Sequence, residues 1–152
     1  GDAKVTAVLM NHPVLNFGYL VEADGKKVFF TGDHEPLLNI YEPGDPEFDE
    51  YQELIDLRNE GIENWLQDVD VLITDSMYTA EEYPAKRGWG HGSHESCLEM
   101  ARRVNAGHLV LTHHEPMRTD SDLDAVAARL RESATDDTVP FVIAREGMRI
   151  DV

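Results

Sequence analysis

Four short apolar runs in this chain each stop on an ionisable side chain. Val5 to Met10 gives way to Asn11-His12-Pro13, Lys27 to Thr31 to Gly32-Asp33, Val69 to Thr74 to Asp75, and Leu109 to Thr112 to His113-His114. Runs of this length, rich in valine, leucine and phenylalanine and closed by proline, glycine or acids, have the pattern of buried strands. The chain must therefore build a sheet whose strand ends carry His12, Asp33, Asp75 and His113. Strand ends are where a rigid scaffold can hold polar groups and still leave them accessible.

The remaining segments fit around such a sheet. Phe17 to Ala23 and Lys27 to Thr31 bracket Asp24-Gly25, a strong hairpin signal. Tyr51 to Leu57 and Gly61 to Leu66 read as helical, one helix in the order β-β-β-α-β-α-β-α-β-β, with Leu54, Ile55, Ile62, Trp65 and Leu66 as the apolar positions. Cys97, Met100, Ala101 and Val104 repeat at helical spacing, with Ser93 as N-cap and Gly107 just past the end. Leu123, Val126, Ala127 and Leu130 mark a further helix capped by Asp120 or Ser121. Val139 to Ala144 and Met148 to Val152 read as a terminal hairpin around Glu146-Gly147. Leu37 to Asp49 is expected as a long surface loop or lid, and Met77 to Gly92 as a second loop. The fold class is α/β (α+β), a mixed sheet with flanking helices in one domain over residues 1–152.

Charge and composition narrow the partners. A formal net charge of −17, with lysine only at Lys4, Lys26, Lys27 and Lys86, argues against the basic footprint that nucleic acid needs, so a small-molecule substrate is expected. No stretch of about 18 apolar residues occurs and the N-terminus lacks a basic-then-apolar leader, so no membrane contact is expected. The single cysteine, Cys97, falls on an inward helix face and reads as a small core residue in a reducing, cytoplasmic setting.

Histidine and aspartate at converging strand ends are the donor types of a metal site, which needs imidazole nitrogens and carboxylate oxygens at about 2.0–2.2 Å from the ion. Mixed ligands of this kind suit zinc, with manganese and iron as alternatives. Taken singly, a histidine after a strand is an ordinary turn residue, and Asp33 after Gly32 fits an Asx-turn. The coincidence of several is what points to chemistry.

The chain resembles the metallo-β-lactamase-fold hydrolases, in the branch similar to phosphoribosyl cyclic phosphodiesterases and tRNase Z. The matching pieces are Asn11-His12-Pro13 with Phe17-Gly18-Tyr19, Thr31-Gly32-Asp33-His34-Glu35-Pro36, Asp70 to Asp75 with Tyr78, Glu81-Glu82-Tyr83, Gly88-Trp89-Gly90-His91, and Leu111-Thr112-His113-His114. The resemblance implies a centre of two divalent metal ions, with His12 on one, Asp33 bridging and His113 on the other. His114 is the alternative to His113, because the doubled histidine leaves the register open by one, and His34 and Asp75 are further candidates near the metal. His91 is implied as the catalytic histidine at the scissile phosphate, and Tyr83 and Trp89 as the pocket mouth, where plain aromatic packing is the alternative for Trp89. The implied reaction is hydrolysis of a small or cyclic phosphodiester by a metal-activated hydroxide.

One family feature is missing. The His-x-His-x-Asp-His motif, which lies upstream of the segment beginning near His12, does not occur here. The chain therefore resembles the C-terminal half of an αββα sandwich, and this half alone is expected to expose a large apolar sheet face. The expected partner is the absent half or a chain supplying it, with a homo-oligomer left open. Two alternatives remain beside the phosphodiesterase: hydrolysis of an ester, thioester or lactam, and a non-enzymatic half-domain that acts as a binding or sensory module.

Overall fold

Asp24 and Gly25 both adopt left-handed backbone, with φ of 51° and 78°. Two such residues in succession make the turn whose twist matches paired strands, and they join β2 (Phe17–Ala23) to β3 (Lys26–Phe30). The computed structural model describes residues 2–152. β1 (Lys4–Leu9) lies antiparallel to β2, with Leu9 opposite Phe17 and Val5 opposite Val21. From β3 onward the chain alternates: α1 (Phe48–Leu66), β4 (Val71–Asp75), α2 (His94–Arg103), β5 (Leu109–Thr112), α3 (Asp120–Glu132) and β6 (Phe141–Ile143).

The strands sit side by side in chain order, β1 to β6; β2–β3 is antiparallel like β1–β2, and the three later pairs are parallel. β1 thus runs in the same direction as β3, and β4, β5 and β6 follow β3. The C-terminal ends of all five meet at one edge of the sheet. Successive crossovers of one hand that advance in one direction also place their helices on one face. α1, α2 and α3 accordingly share one core with that face, built on Leu66, Ala101, Val104, Leu130, Phe29, Leu72, Leu109 and Leu111, none more than 1% exposed.

The opposite face is buried at Val71 and Val110 but is left uncovered over β1, β2 and β3 among the described residues. Val5, Leu9, Phe17, Tyr19 and Phe30 are between 39% and 59% exposed, and register places Leu9 beside Phe17 and Tyr19 beside Phe30 as one continuous apolar surface.

Four local expectations need correction. α1, the one helix expected between the third and fourth strands, begins earlier than Tyr51, at Phe48 inside the expected loop, and runs unbroken through Gly61. A glycine in a helix costs only about 1 kcal/mol, and burial of Ile55 and Leu66 on one stripe outweighs it, while Leu54 and Trp65 turn to solvent. α3 is capped by Thr119, not by Asp120 or Ser121, because Thr119 and Asp122 satisfy each other's backbone N–H groups in a capping box. Ser93 caps α2 in the same way with Ser96, but the left-handed residue after α2 is Asn105 (φ 52°), not Gly107. The terminal hairpin does not form: Gly147 turns the chain, yet β6 is three residues long and Met148 to Val152 pair with no strand.

Candidate metal centre

The edge where β1, β3, β4 and β5 end gathers most of the predicted groups. Asp33 follows β3 through Gly32, and the Asn16 side-chain amide fixes that turn by donating to Asp33 O at 2.6 Å and Thr31 O at 3.3 Å. Asp75 is the last residue of β4; its backbone N–H donates to Thr31 Oγ1 at 3.1 Å, and its side chain is fully buried. His113 leaves β5 in a left-handed conformation (φ 56°), which turns its ring toward the same point. Its Nδ1 lies 3.1 Å from Asp33 Oδ1 and 3.5 Å from Asp75 Oδ2.

His91 enters from the loop before α2. Its Nδ1 is 2.6 Å from Asp75 Oδ2, which also accepts the His34 backbone N–H at 3.1 Å. Donor atoms of Asp33, Asp75, His91 and His113 all lie within 4.8 Å of one another. His12 stands at the margin, its Nε2 3.9 Å from Asp33 Oδ2 and its ring 5.5 Å from that of His91. Its Nδ1 lies 2.9 Å from Val14 O and 3.1 Å from the Val14 N–H, which fixes the ring with Nε2 toward the site.

The electrostatics favour a cation. Asp75 Oδ1 is shut off from solvent and has no hydrogen-bond partner among the described residues. A buried carboxylate of that kind is costly without a counter-charge. The Asp75 hydrogen bond, followed by the charges of Asp75 and Asp33, holds the His113 imidazole above its ordinary pKa against the opposing effect of burial. Asp33 and His113, with His12 at the margin, offer an N/O donor set that fits a zinc-type ion, and the Asp75–His91 pair stands directly beside it.

Other predicted residues lie elsewhere. His114 turns away, with Nε2 3.1 Å from Ala144 O at the end of β6. The His34 side chain is buried behind Asp75 in a small cavity shared with Thr74, Ser96 and Cys97, and burial pushes its imidazole down to about 4. Cys97 is buried against Thr74 and Asp75 O, with its thiol pushed up to about 12 by burial, so it is no nucleophile. Tyr83 commits its hydroxyl to Glu35 Oε1 at 2.7 Å. Trp89 is 58% exposed and stacks under Lys86 Nζ at 4.1 Å from the ring centroid.

Two residues without an assigned role prove structurally central. Asn16 ties the Asp33 turn, and Glu35, 3% exposed, reaches across to the loop that precedes His91. Glu35 also borders a cleft of about 410 Å³ lined by Asn11, Leu37, Ile40, Tyr51 and Arg87. The signal for Glu35 in the sequence is its place in the matching piece Thr31-Gly32-Asp33-His34-Glu35-Pro36, which gives it no role by itself.

Comparison with known proteins places this geometry in context. Residues 1–114 match the family model described as "Beta-lactamase superfamily domain". A stretch of 111 residues, 72% of the chain, is 25% identical to the zinc phosphodiesterase ELAC protein 2 homolog of Caenorhabditis elegans, and spans 11% of that protein's length. Among solved structures, the metallo-β-lactamase fold protein YhfI from Bacillus subtilis superposes with a TM-score of 0.65 at 18% identity, over 97% of this chain and 49% of that one. The short form of human tRNase Z gives 0.63 at 19% identity, over 97% of this chain and 42% of that one. The chain thus spans about half the length, or less, of these three relatives, and shares the fold of the two solved structures.

Proposed function

The chain belongs to the β-lactamase superfamily, and from that membership we propose that it carries part of the active site of a metal-dependent phosphodiesterase. The observation that carries this reading is the His91–Asp75 contact of 2.6 Å set directly beside the donor cluster of Asp33 and His113. Similarity to the nematode zinc phosphodiesterase supports both the ion and the bond.

Asp33 and His113 would hold the ion, with His12 completing its side of the site and Asp33 placed to bridge if two ions bind. A zinc-type ion there supplies an acidified water and a counter-charge for phosphate oxygens. The protein's own part is orientation and proton handling. Asp75 accepts the hydrogen bond of His91 Nδ1–H, which fixes the ring and leaves the Nε2 lone pair toward the site; once Nε2 takes a proton from solvent, the Asp75 carboxylate stabilises the imidazolium and Nε2 gives that proton to the departing oxygen. Burial of Asp75 keeps water from competing for that contact. The net charge of −17 favours a small or cyclic phosphodiester over a long nucleic acid.

The uncovered face of β1, β2 and β3 supports a second sheet packing there, contributed from outside residues 1–152 and bringing the remaining ligands. Zinc titration of the chain, followed by turnover of bis(p-nitrophenyl) phosphate with and without His91→Ala, tests the reading. Zinc binding with turnover that depends on His91 supports it. Turnover indifferent to His91 removes the role given to that histidine, and absence of zinc binding even when the second sheet is supplied leaves the non-enzymatic half-domain as the better account.

A further inference from the structure

Glu35 spends both carboxylate oxygens on one neighbouring loop. Oε1 accepts the Tyr83 hydroxyl at 2.7 Å and the Gly88 N–H at 2.9 Å, and Oε2 accepts the Gly90 N–H at 2.7 Å. Its backbone is tied in the other direction: Glu35 N–H donates to Asn11 O at 3.0 Å, and Asn11 Nδ2 donates to Glu35 O at 2.6 Å. One residue therefore joins the turn that carries His12, the turn that carries Asp33 and the loop that carries His91.

The contact is closer than ordinary loop packing. Glu35 is 3% exposed, and among the described residues no lysine or arginine forms an ion pair with it. Its charge is met by three N–H and O–H donors drawn from residues 83 to 90, immediately before His91. Charge-assisted hydrogen bonds of this kind are roughly twice as strong as neutral ones. The loop they fix lies on the His12 ring: Gly90 has φ of 98°, and a Cβ built there would stand 2.2 Å from His12 Cδ2.

We propose that Glu35 is a positioning residue which clamps the Tyr83–Gly90 segment, and thereby sets His91 against Asp75 and His12 against Asp33. The consequence for catalysis rests on the role of His91 given above; the clamp itself does not. A glutamine at this position is nearly isosteric but has one acceptor oxygen, and its amide N–H groups would face the N–H of Gly88 or Gly90. A clamp therefore fails in E35Q where a space-filling role survives.

Amide exchange and ring spectra of the 152-residue chain by nuclear magnetic resonance, for wild type and E35Q, provide the test. The wild-type Gly90 amide is expected to be protected although it lies in a loop. In E35Q its exchange is expected to rise at least about tenfold, with shifted ring signals for His91 and His12, while Leu72 in β4 keeps its wild-type protection. Unchanged Gly90 exchange and unchanged ring signals in E35Q overturn the proposal. If E35Q does not fold, the wild-type rate decides: a Gly90 amide that exchanges like a free peptide overturns the clamp, and a protected one supports it. With zinc and bis(p-nitrophenyl) phosphate, E35Q is expected to lower kcat more than it raises KM. An intact clamp together with full turnover by H91A sinks the reading of His91 and leaves the clamp standing, so the two failures are distinguishable.

Discussion

His91 Nδ1 lies 2.6 Å from Asp75 Oδ2, and no part of the Asp75 side chain reaches solvent. A histidine held this way has one tautomer and one free nitrogen. Removing either partner should cost turnover more than substrate binding. His91→Ala is expected to lower kcat on a phosphodiester by about 10²–10⁴, and Asp75→Asn to lower it by a comparable factor because the charge behind the imidazole is gone. Steady-state kinetics of the zinc-loaded protein check both; a variant within twofold of wild type counts against the assignment.

His113 and His114 are adjacent in sequence and opposite in role. His113 faces Asp33 at 3.1 Å, and His114 is turned to Ala144 O. His113→Ala should weaken zinc binding by at least about tenfold, within the range seen when a metal's supporting groups are lost. His114→Ala should leave zinc affinity near wild type while lowering the melting temperature. Competition against a chromophoric chelator reads the first effect and thermal denaturation the second.

Gly90 is a position where one methyl group should be felt in the site. Its φ of 98° and the 2.2 Å approach to His12 leave a Cβ no room. Gly90→Ala is expected to destabilise the fold by more than about 1 kcal/mol and to displace His12. Urea denaturation measures the stability change, and the His12 ring signals report the displacement. Equal stability and unmoved rings would show that the loop yields without strain.

His94, at the start of α2, is fully buried, and neither ring nitrogen finds a partner among the described residues. Burial pushes its imidazole down to about 4. Between that value and the unfolded value of about 6.5 the unfolded chain binds the extra proton, so stability rises with pH across this window. The contribution is complete above about pH 6.5 and is lost as pH falls toward 4, for a total of the order of 3 kcal/mol. His34 is displaced in the same direction. Chemical denaturation as a function of pH should show this slope, and His94→Asn should remove the part that His94 carries.

The bare sheet face predicts the behaviour of the isolated chain. Tyr19 and Phe30 lie side by side and are 44% and 43% exposed. The chain alone should bind a hydrophobic dye and self-associate with rising concentration. Changing Leu9 to Lys and Phe30 to Glu together should reduce both and leave the far-ultraviolet circular dichroism unaltered. Light scattering and dye fluorescence decide the matter; persistent association in the double variant would point to a different surface.

Much of this could be read from the residues, because the strands are short apolar runs with abrupt polar ends. The hairpin at Asp24-Gly25, the Ser93 cap and the four strand-end ligand candidates all follow from patterns local in sequence. What the sequence concealed depends on distance in the chain. Nothing local to Gly61 tells that α1 runs through it, since the decision lies with Ile55 and Leu66 packing on the sheet. Nothing local to His113-His114 tells which of the two turns inward; that is set by the left-handed backbone of His113 and by Ala144, 30 residues away. The role of Glu35 is not legible in its own motif because its partners, Tyr83, Gly88 and Gly90, are 48 to 55 residues distant and two of them act through backbone N–H groups.

The sheet order carries a consequence for how the protein comes apart. Because β1, β3, β4 and β5 all end at one edge, an ion at that edge would rivet together stretches of chain that are otherwise free to open one at a time. Fraying of any one strand would release it. Such an ion would bind the folded chain and not the unfolded one, so free zinc at 100 times its dissociation constant would add about 2.7 kcal/mol to the folded state. Resistance to proteolysis of this chain would then track the zinc supply of its surroundings, and its lifetime would become a gauge of metal availability.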